Sequence, residues 1–209
     1  MATFFIPTVR EAESVFGPGE LFNRRGLQYF AGVKHTVVVT GVGKTNAAIA
    51  LTRFISGGSE SDGDLALIGI AGAYKESGVK VGDLLAVKTD YFADEALLTD
   101  SALIGIDELG FPINEGNRCE FVTPFELPVC SANTVSLLSG TDYLARLYWN
   151  KTRAAIESME GAAFALAAAS FEVKTAQVRA ASNYCGARDK QEWDVKKALT
   201  ALRRFVNSL

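Results

Sequence analysis

His35-Thr36-Val37-Val38-Val39-Thr40-Gly41 is followed at once by Val42-Gly43-Lys44-Thr45-Asn46. The first run is dominated by β-branched residues, which suits a strand buried on both faces. The two glycines break it, and good helix formers then predict a helix over 44–55. Apolar runs with the same character predict strands over 3–7, 65–70, 83–92, 127–135 and 174–181. Helices are expected over 8–16, 159–170 and 192–206. Buried strands interleaved with helices mean an α/β fold with a mostly parallel sheet, whose ligands sit at the carboxyl ends of strands. Residues 92–120, rich in Asp, Glu, Gly and Asn, predict a long loop with short elements.

Gly41-Val42-Gly43-Lys44-Thr45 ends like a phosphate-binding P-loop. That cradle needs a glycine five positions before Gly43, and Val38 stands there inside the strand. The dinucleotide pattern fails as well, because Asn46 occupies its last glycine position. A tight strand-to-helix turn is the remaining reading.

At 209 residues, with 48% hydrophobic and 22% charged content, the chain can bury a sizeable core, and one domain over 1–209 is expected. The net charge of −3 comes without a basic stripe, which argues against a nucleic-acid binder. It leaves open a nucleoside, which carries no phosphate. The three cysteines are dispersed, which predicts a reduced, cytoplasmic setting. His35 is the single histidine, so no metal is expected and acid-base work falls to carboxylates. The short apolar run near Met1 has no basic segment before it, and no stretch is long enough for a membrane span.

Three polar positions stand out. Thr8-Val9-Arg10-Glu11 fits a capping box, and equally puts Glu11 at the end of the first strand, facing a cleft. Glu157-Ser158-Met159-Glu160-Gly161-Ala162-Ala163-Phe164 is expected to place Ser158 as helix cap and Glu160 in the first turn. The helix dipole favours an acid there by about 0.3–1 kcal/mol, and an ionised Glu160 can accept two hydrogen bonds from a vicinal diol. Asn183 closes an apolar strand. It is either a turn residue or a donor–acceptor for a base edge.

These segments resemble the purine and uridine phosphorylase superfamily, in its nucleosidase branch. The similar pieces are VVVTGVGKTNAAIA (37–50), LIGIAGAYKESGVKVGDLLAV (67–87), NTVSLLSGTDYL (133–144), ESMEGAAF (157–164) and VRAASN (178–183). The run 182–190 followed by Trp193 is similar to a subgroup whose substrate carries hypoxanthine and a benzoate, on the menaquinone pathway. The resemblance implies a three-layer α/β sandwich with a central mixed, mostly parallel sheet, and a homodimer. It implies hydrolysis of a purine nucleoside with no cofactor. By the same resemblance Glu11 positions the attacking water and Glu160 accepts from the ribose diol, with Met159 under the sugar. Tyr143 would stack on the base, Leu144 would meet its edge, and Ala71-Gly72 would be a loop against the ribosyl group.

Asn183 departs from the pattern, since adenine-specific nucleosidases have an aspartate there. A neutral amide offers two N–H donors, which suit the O6 and N7 acceptors of a 6-oxopurine. The wrong pairing in a buried site costs about 1–3 kcal/mol. Asn183 can stabilise a leaving base but cannot protonate it. Phosphorolysis is less expected, because the strand at 65–70 lacks an arginine and Ile70 stands where a small polar residue would bind phosphate. Arg10 and Lys44 are the cations that could still reach, and Arg10 and Arg118 are candidates for a substrate benzoate. Open alternatives are an adenine-releasing nucleosidase acting on methylthioadenosine, a phosphorylase, and a silent nucleoside-binding protein.

Overall fold

The computed structural model describes residues 2–58, 65–190 and 193–209. The elements run β1 (Thr3–Ile6), α1 (Val9–Phe16), β2 (Glu20–Arg24), β3 (Leu27–Ala31), β4 (Thr36–Val39), α2 (Lys44–Ser56), β5 (Leu65–Ala73), β6 (Leu84–Phe92), β7 (Ala96–Leu98), β8 (Leu103–Gly105), β9 (Arg118–Glu120), β10 (Val129–Thr134), α3 (Asp142–Thr152), β11 (Ile156–Ser158), α4 (Gly161–Ala169), β12 (Thr175–Tyr184) and α5 (Val195–Asn207). Glu192, the expected start of the last helix, lies outside the described residues.

The central sheet is mixed, in the order β11-β10-β6-β12-β5-β1-β4-β3-β2, with β9 beside β6. β1 lies parallel to both β4 and β5, and β12 lies parallel to β5. The sheet also curls: the far end of β5 pairs antiparallel with β11, closing a circuit through β12, β6 and β10. That closure brings the ends of β5, β11 and β12 together.

The strands separate two cores, as a sheet covered on both faces must. Along β1, Phe4 and Ile6 join Val15, Leu202 and Phe205 under α1 and α5. Phe5 points the other way, to Phe54 and Phe164 under α2 and α4, with ring centroids 5.2 and 5.0 Å away. Period-2 alternation between two apolar layers explains the continuous hydrophobic runs in the sequence. Gly41 and Gly43 hold φ of 84° and 96°, the left-handed region open to glycine, so the chain turns sharply from β4 into α2.

The differences from the sequence expectations are local. Ala71 and Gly72, expected as a loop, lie inside β5, which continues past the expected end at 70 to Ala73. Ser158 ends β11 and does not cap α4; the cap position belongs to Glu160. The β2–β3 hairpin, α3 and β11 were not anticipated. Among the described residues no helix is long and apolar enough to cross a membrane.

Phe164 joins Phe5 inside the larger core and is fully buried. Phe164→Ala should lower the unfolding free energy by about 3–5 kcal/mol in urea titrations, with the slope unchanged.

Candidate active site

Glu160 begins α4, yet its side chain does not cap that helix. Its Oε1 accepts the Gly43 N–H at 3.0 Å, so the turn that mimics a P-loop grips a carboxylate of the chain itself. Its Oε2 accepts Arg179 Nη2 at 3.1 Å and the Met159 N–H at 3.3 Å. Arg179 is 1% exposed and Glu160 3% exposed, so this ion pair is buried on both sides. Breaking one partner of such a pair leaves an uncompensated charge in the interior.

A polar chain runs behind the arginine. Arg179 Nη2 donates to Gln177 Oε1 at 3.4 Å, and Gln177 Nε2 donates to Asp90 Oδ2 at 2.8 Å. Thr134 Oγ1 donates to Asp90 Oδ1 and accepts the Ala162 N–H, each at 2.8 Å. An ionised Asp90 only accepts, so it turns the Gln177 nitrogen toward itself and the Gln177 oxygen toward Arg179. The Gly161 of the ESMEG run is dictated by this packing. A Cβ there would lie 1.9 Å from Asp90 Oδ2 and 2.2 Å from Gln177 Oε1.

Glu11 combines both sequence readings of its motif. Thr8 Oγ1 accepts the Glu11 N–H at 3.2 Å as a helix cap, and donates back to Glu11 Oε2 at 2.7 Å. Glu11 Oε1 accepts the Ile70 N–H of β5 at 3.2 Å. Burial pushes the Glu11 carboxyl up, while the Thr8 and Ile70 hydrogen bonds and the Arg179 charge pull it down, with burial the larger effect. Asn183 lies within β12, just past a register shift that pairs Ala181 with Ala71 and Asn183 with Gly72. Such an irregularity re-aims a side chain at a sheet end. Asn183 Oδ1 accepts from Ser182 Oγ at 2.8 Å and Nδ2 donates to the Tyr184 carbonyl at 3.2 Å.

A cavity of about 390 Å³ opens among these groups. Glu11, Glu160, Met159, Asn183, Ala71 and Gly72 all line it. Tyr143 and Leu144 are not among its lining residues. Thr141 caps α3 there, turning Tyr143 outward, 46% exposed, with its hydroxyl donating to the Asp100 carbonyl. Leu144 packs toward the cluster containing Tyr74, Val135 and Tyr148. Both residues, for which stacking and base-edge roles are expected, thus stand outside the lining of this cavity.

Residues to which the sequence gave no individual role also line the cavity, namely Arg179, Ser139, Glu157, Arg188 and Trp193, as does Arg10. The Arg188 guanidinium lies 4.6 Å from the Trp193 ring centroid. Arg118 lies on β9 beside Glu120, and Lys44 is paired with Asp94 and Glu95; neither lines the cavity. A polar residue inside an apolar strand was the available signal for Arg179, Gln177 and Asp90, since buried charges need partners.

A family model described as Phosphorylase superfamily matches residues 128–209. The futalosine hydrolase of Thermus thermophilus is 34% identical over 206 residues, covering 94% of this chain and 90% of that protein. The chain belongs to the futalosine hydrolase family. Solved structures share the fold at lower identity. A 5′-methylthioadenosine/S-adenosylhomocysteine nucleosidase of Helicobacter pylori has a TM-score of 0.78 at 18% identity, covering 99% of this chain and 96% of that one. The futalosine hydrolase of Helicobacter pylori has a TM-score of 0.77 at 17% identity, covering 99% and 95%. The ESMEG and VRAASN runs both reach the cavity, the first through Glu160 and the second through Arg179 and Asn183.

Burial raises the Asp90 carboxyl from 3.8 to about 6. The folded state therefore holds the Asp90 proton more tightly than the unfolded chain. Its contribution to stability is complete below about pH 4 and lost as the pH rises through about 6, a swing on the order of 3 kcal/mol. Asp90→Asn does not titrate. Its unfolding free energy relative to wild type should shift in the variant's favour between pH 4.5 and 7, and denaturant melts at the two pH values measure this.

Proposed function

We propose that this chain hydrolyses the N-glycosidic bond of a 6-oxopurine nucleoside, with futalosine as its substrate and hypoxanthine and dehypoxanthine futalosine as products, within menaquinone biosynthesis. The observation that carries this is the convergence of Glu11, Glu160 and Asn183 on one cavity in a chain of this family. Glu160, held by Arg179 and Gly43, accepts from the 2′- and 3′-hydroxyls, with Met159 under the sugar and Ala71-Gly72 beside it. A water attacks C1′ and gives a proton to Glu11, whose raised carboxyl suits a general base. As the C1′–N9 bond breaks, its electron pair passes to the base, and the Asn183 amide stabilises charge at N7 and O6. The base takes its proton from solvent.

Arg10, Arg188 and Trp193 support a benzoate at the cavity mouth, with guanidinium for the carboxylate and indole for the ring. We further propose one domain over 1–209, a cytoplasmic location and a homodimer. The dimer would cover apolar side chains such as Leu98, Leu137 and Phe111, the last 74% exposed. Hydrolysis by this route calls on no metal or organic cofactor.

The test is purine release from futalosine, inosine, methylthioadenosine and adenosylhomocysteine, with and without phosphate. Hypoxanthine from futalosine, independent of phosphate, is expected. Adenine release, phosphate dependence or no turnover would each sink the proposal. Glu160→Ala should lower kcat/KM about a hundredfold or more, because two hydrogen bonds to a charged group are lost. Arg188→Ala should raise KM for futalosine while leaving that for inosine nearly unchanged.

A further inference from the structure

Given the nucleosidase reading, on which this rests, we infer that Glu157 reads the purine: its carboxylate accepts the N1–H of a 6-oxopurine while Asn183 faces N7 and O6. The sheet sets this up through Gly72. Gly72 is paired with Asn183 of β12 on one side and with Glu157 of β11 on the other. Directly opposed residues on neighbouring strands project to the same face, and strands lie about 4.8 Å apart. Amide and carboxylate thus stand on backbones about 10 Å apart, with a bare glycine between them. A Cβ at Gly72 would lie 3.5 Å from both Asn183 Nδ2 and Glu157 Cγ, and 2.8 Å from Cys185 Sγ. Gly72, Asn183 and Glu157 line the cavity. The buried Cys185 thiol lies over the glycine, so the amide donor and the carboxylate acceptor stand side by side around it, spaced for the edge of a flat heterocycle.

Glu157 is 4% exposed and firmly held. The Ser139 N–H donates to Oε1 at 2.9 Å, Ser139 Oγ donates to Oε2 at 2.6 Å, and Tyr74 OH donates to Oε2 at 2.9 Å. Tyr74 is itself fixed by Asn133 Nδ2 at 3.0 Å, and Asn133 Oδ1 accepts from Thr152 Oγ1 at 2.8 Å. Burial pushes the carboxyl up and is the larger effect, while the Ser139 and Tyr74 hydrogen bonds pull the other way. A carboxylate offers about four lone-pair sites. Ser139 and Tyr74 take three, and the weak thiol donor of Cys185 faces the group as well. A ligand N–H is a stronger donor than that thiol and can replace it.

The chemistry selects the base. Hypoxanthine presents acceptors at N7 and O6 and a donor at N1. Adenine presents an acceptor at N1, so the Glu157 carboxylate would face like against like, whereas the Asn183 amide can turn its oxygen to the 6-amino group. One mismatched buried pair is worth about a 10- to 100-fold preference. Glu157 also anchors Ser139, and the test separates that structural task from base recognition.

The experiment measures kcat/KM of wild type and Glu157→Gln on futalosine and on its 6-amino-6-deoxy counterpart, which carries adenine. Wild type is expected to favour the hypoxanthine substrate. Glu157→Gln can turn its NH2 toward adenine N1, and should shrink that preference at least tenfold, chiefly through KM. An equal fall on both substrates would mean that Glu157 only holds Ser139, and would overturn the inference. Wild type on N1-methylfutalosine gives a measurement free of any folding defect. A loss of tenfold or more is expected, and undiminished turnover would overturn the inference. If wild type releases no purine from any of these, the nucleosidase reading falls, and this inference with it.

Discussion

The buried ion pair between Arg179 and Glu160 is the constraint that the site depends on. Arg179 comes from β12 and Glu160 from the start of α4, and the 3.1 Å contact ties sheet to helix. A guanidinium with this little exposure needs acceptors around it. Glu160 is one, Gln177 is another, and Asp90 fixes which end of the Gln177 amide faces it. Gly161 is small because Asp90 and Gln177 lie directly beneath it. The pair therefore sets the orientation of the Glu160 carboxylate at the cavity, and it reaches Glu11 through the charge of Arg179.

The same buried carboxylates carry opposite demands. Desolvation raises Glu11, Asp90 and Glu157, which makes each a better proton acceptor and a less comfortable anion. Hydrogen bonds from Thr8, Thr134, Gln177, Ser139 and Tyr74 hold them in one geometry. A preorganised set of this kind stabilises developing charge without rearranging at the moment of reaction. The low dielectric around it is what makes each contact strong and each loss expensive.

Much of the framework could be read along the chain, and the misses share a cause. The buried strands and the helices 8–16 and 44–55 follow from local apolar runs and breakers. The β2–β3 hairpin escaped because β2 is exposed throughout and turns at Arg25-Gly26, whose positive φ values are not apparent from residue type alone. β11 has three residues and exists through its pairing with β10 and β5. Tyr143 is expected at the base because the motif aligns it there; it stands at the start of α3, outside the cavity lining, with its hydroxyl donating to the Asp100 carbonyl.

The sequence by itself determined the α/β class, the turn at Gly41–Gly43, and the positions Glu11, Glu160 and Asn183. The class rests on a series of local apolar runs, and each of the others on residues within a few positions of one another. Only the tertiary structure decided that Glu160 is held by Gly43 and Arg179, and that Asp90 stands behind them. It alone decided that Gly72 separates Asn183 from Glu157. Those contacts join segments from 19 to 117 residues apart. No local pattern encodes them, because they arise where the curled sheet brings the ends of β5, β11 and β12 to one place.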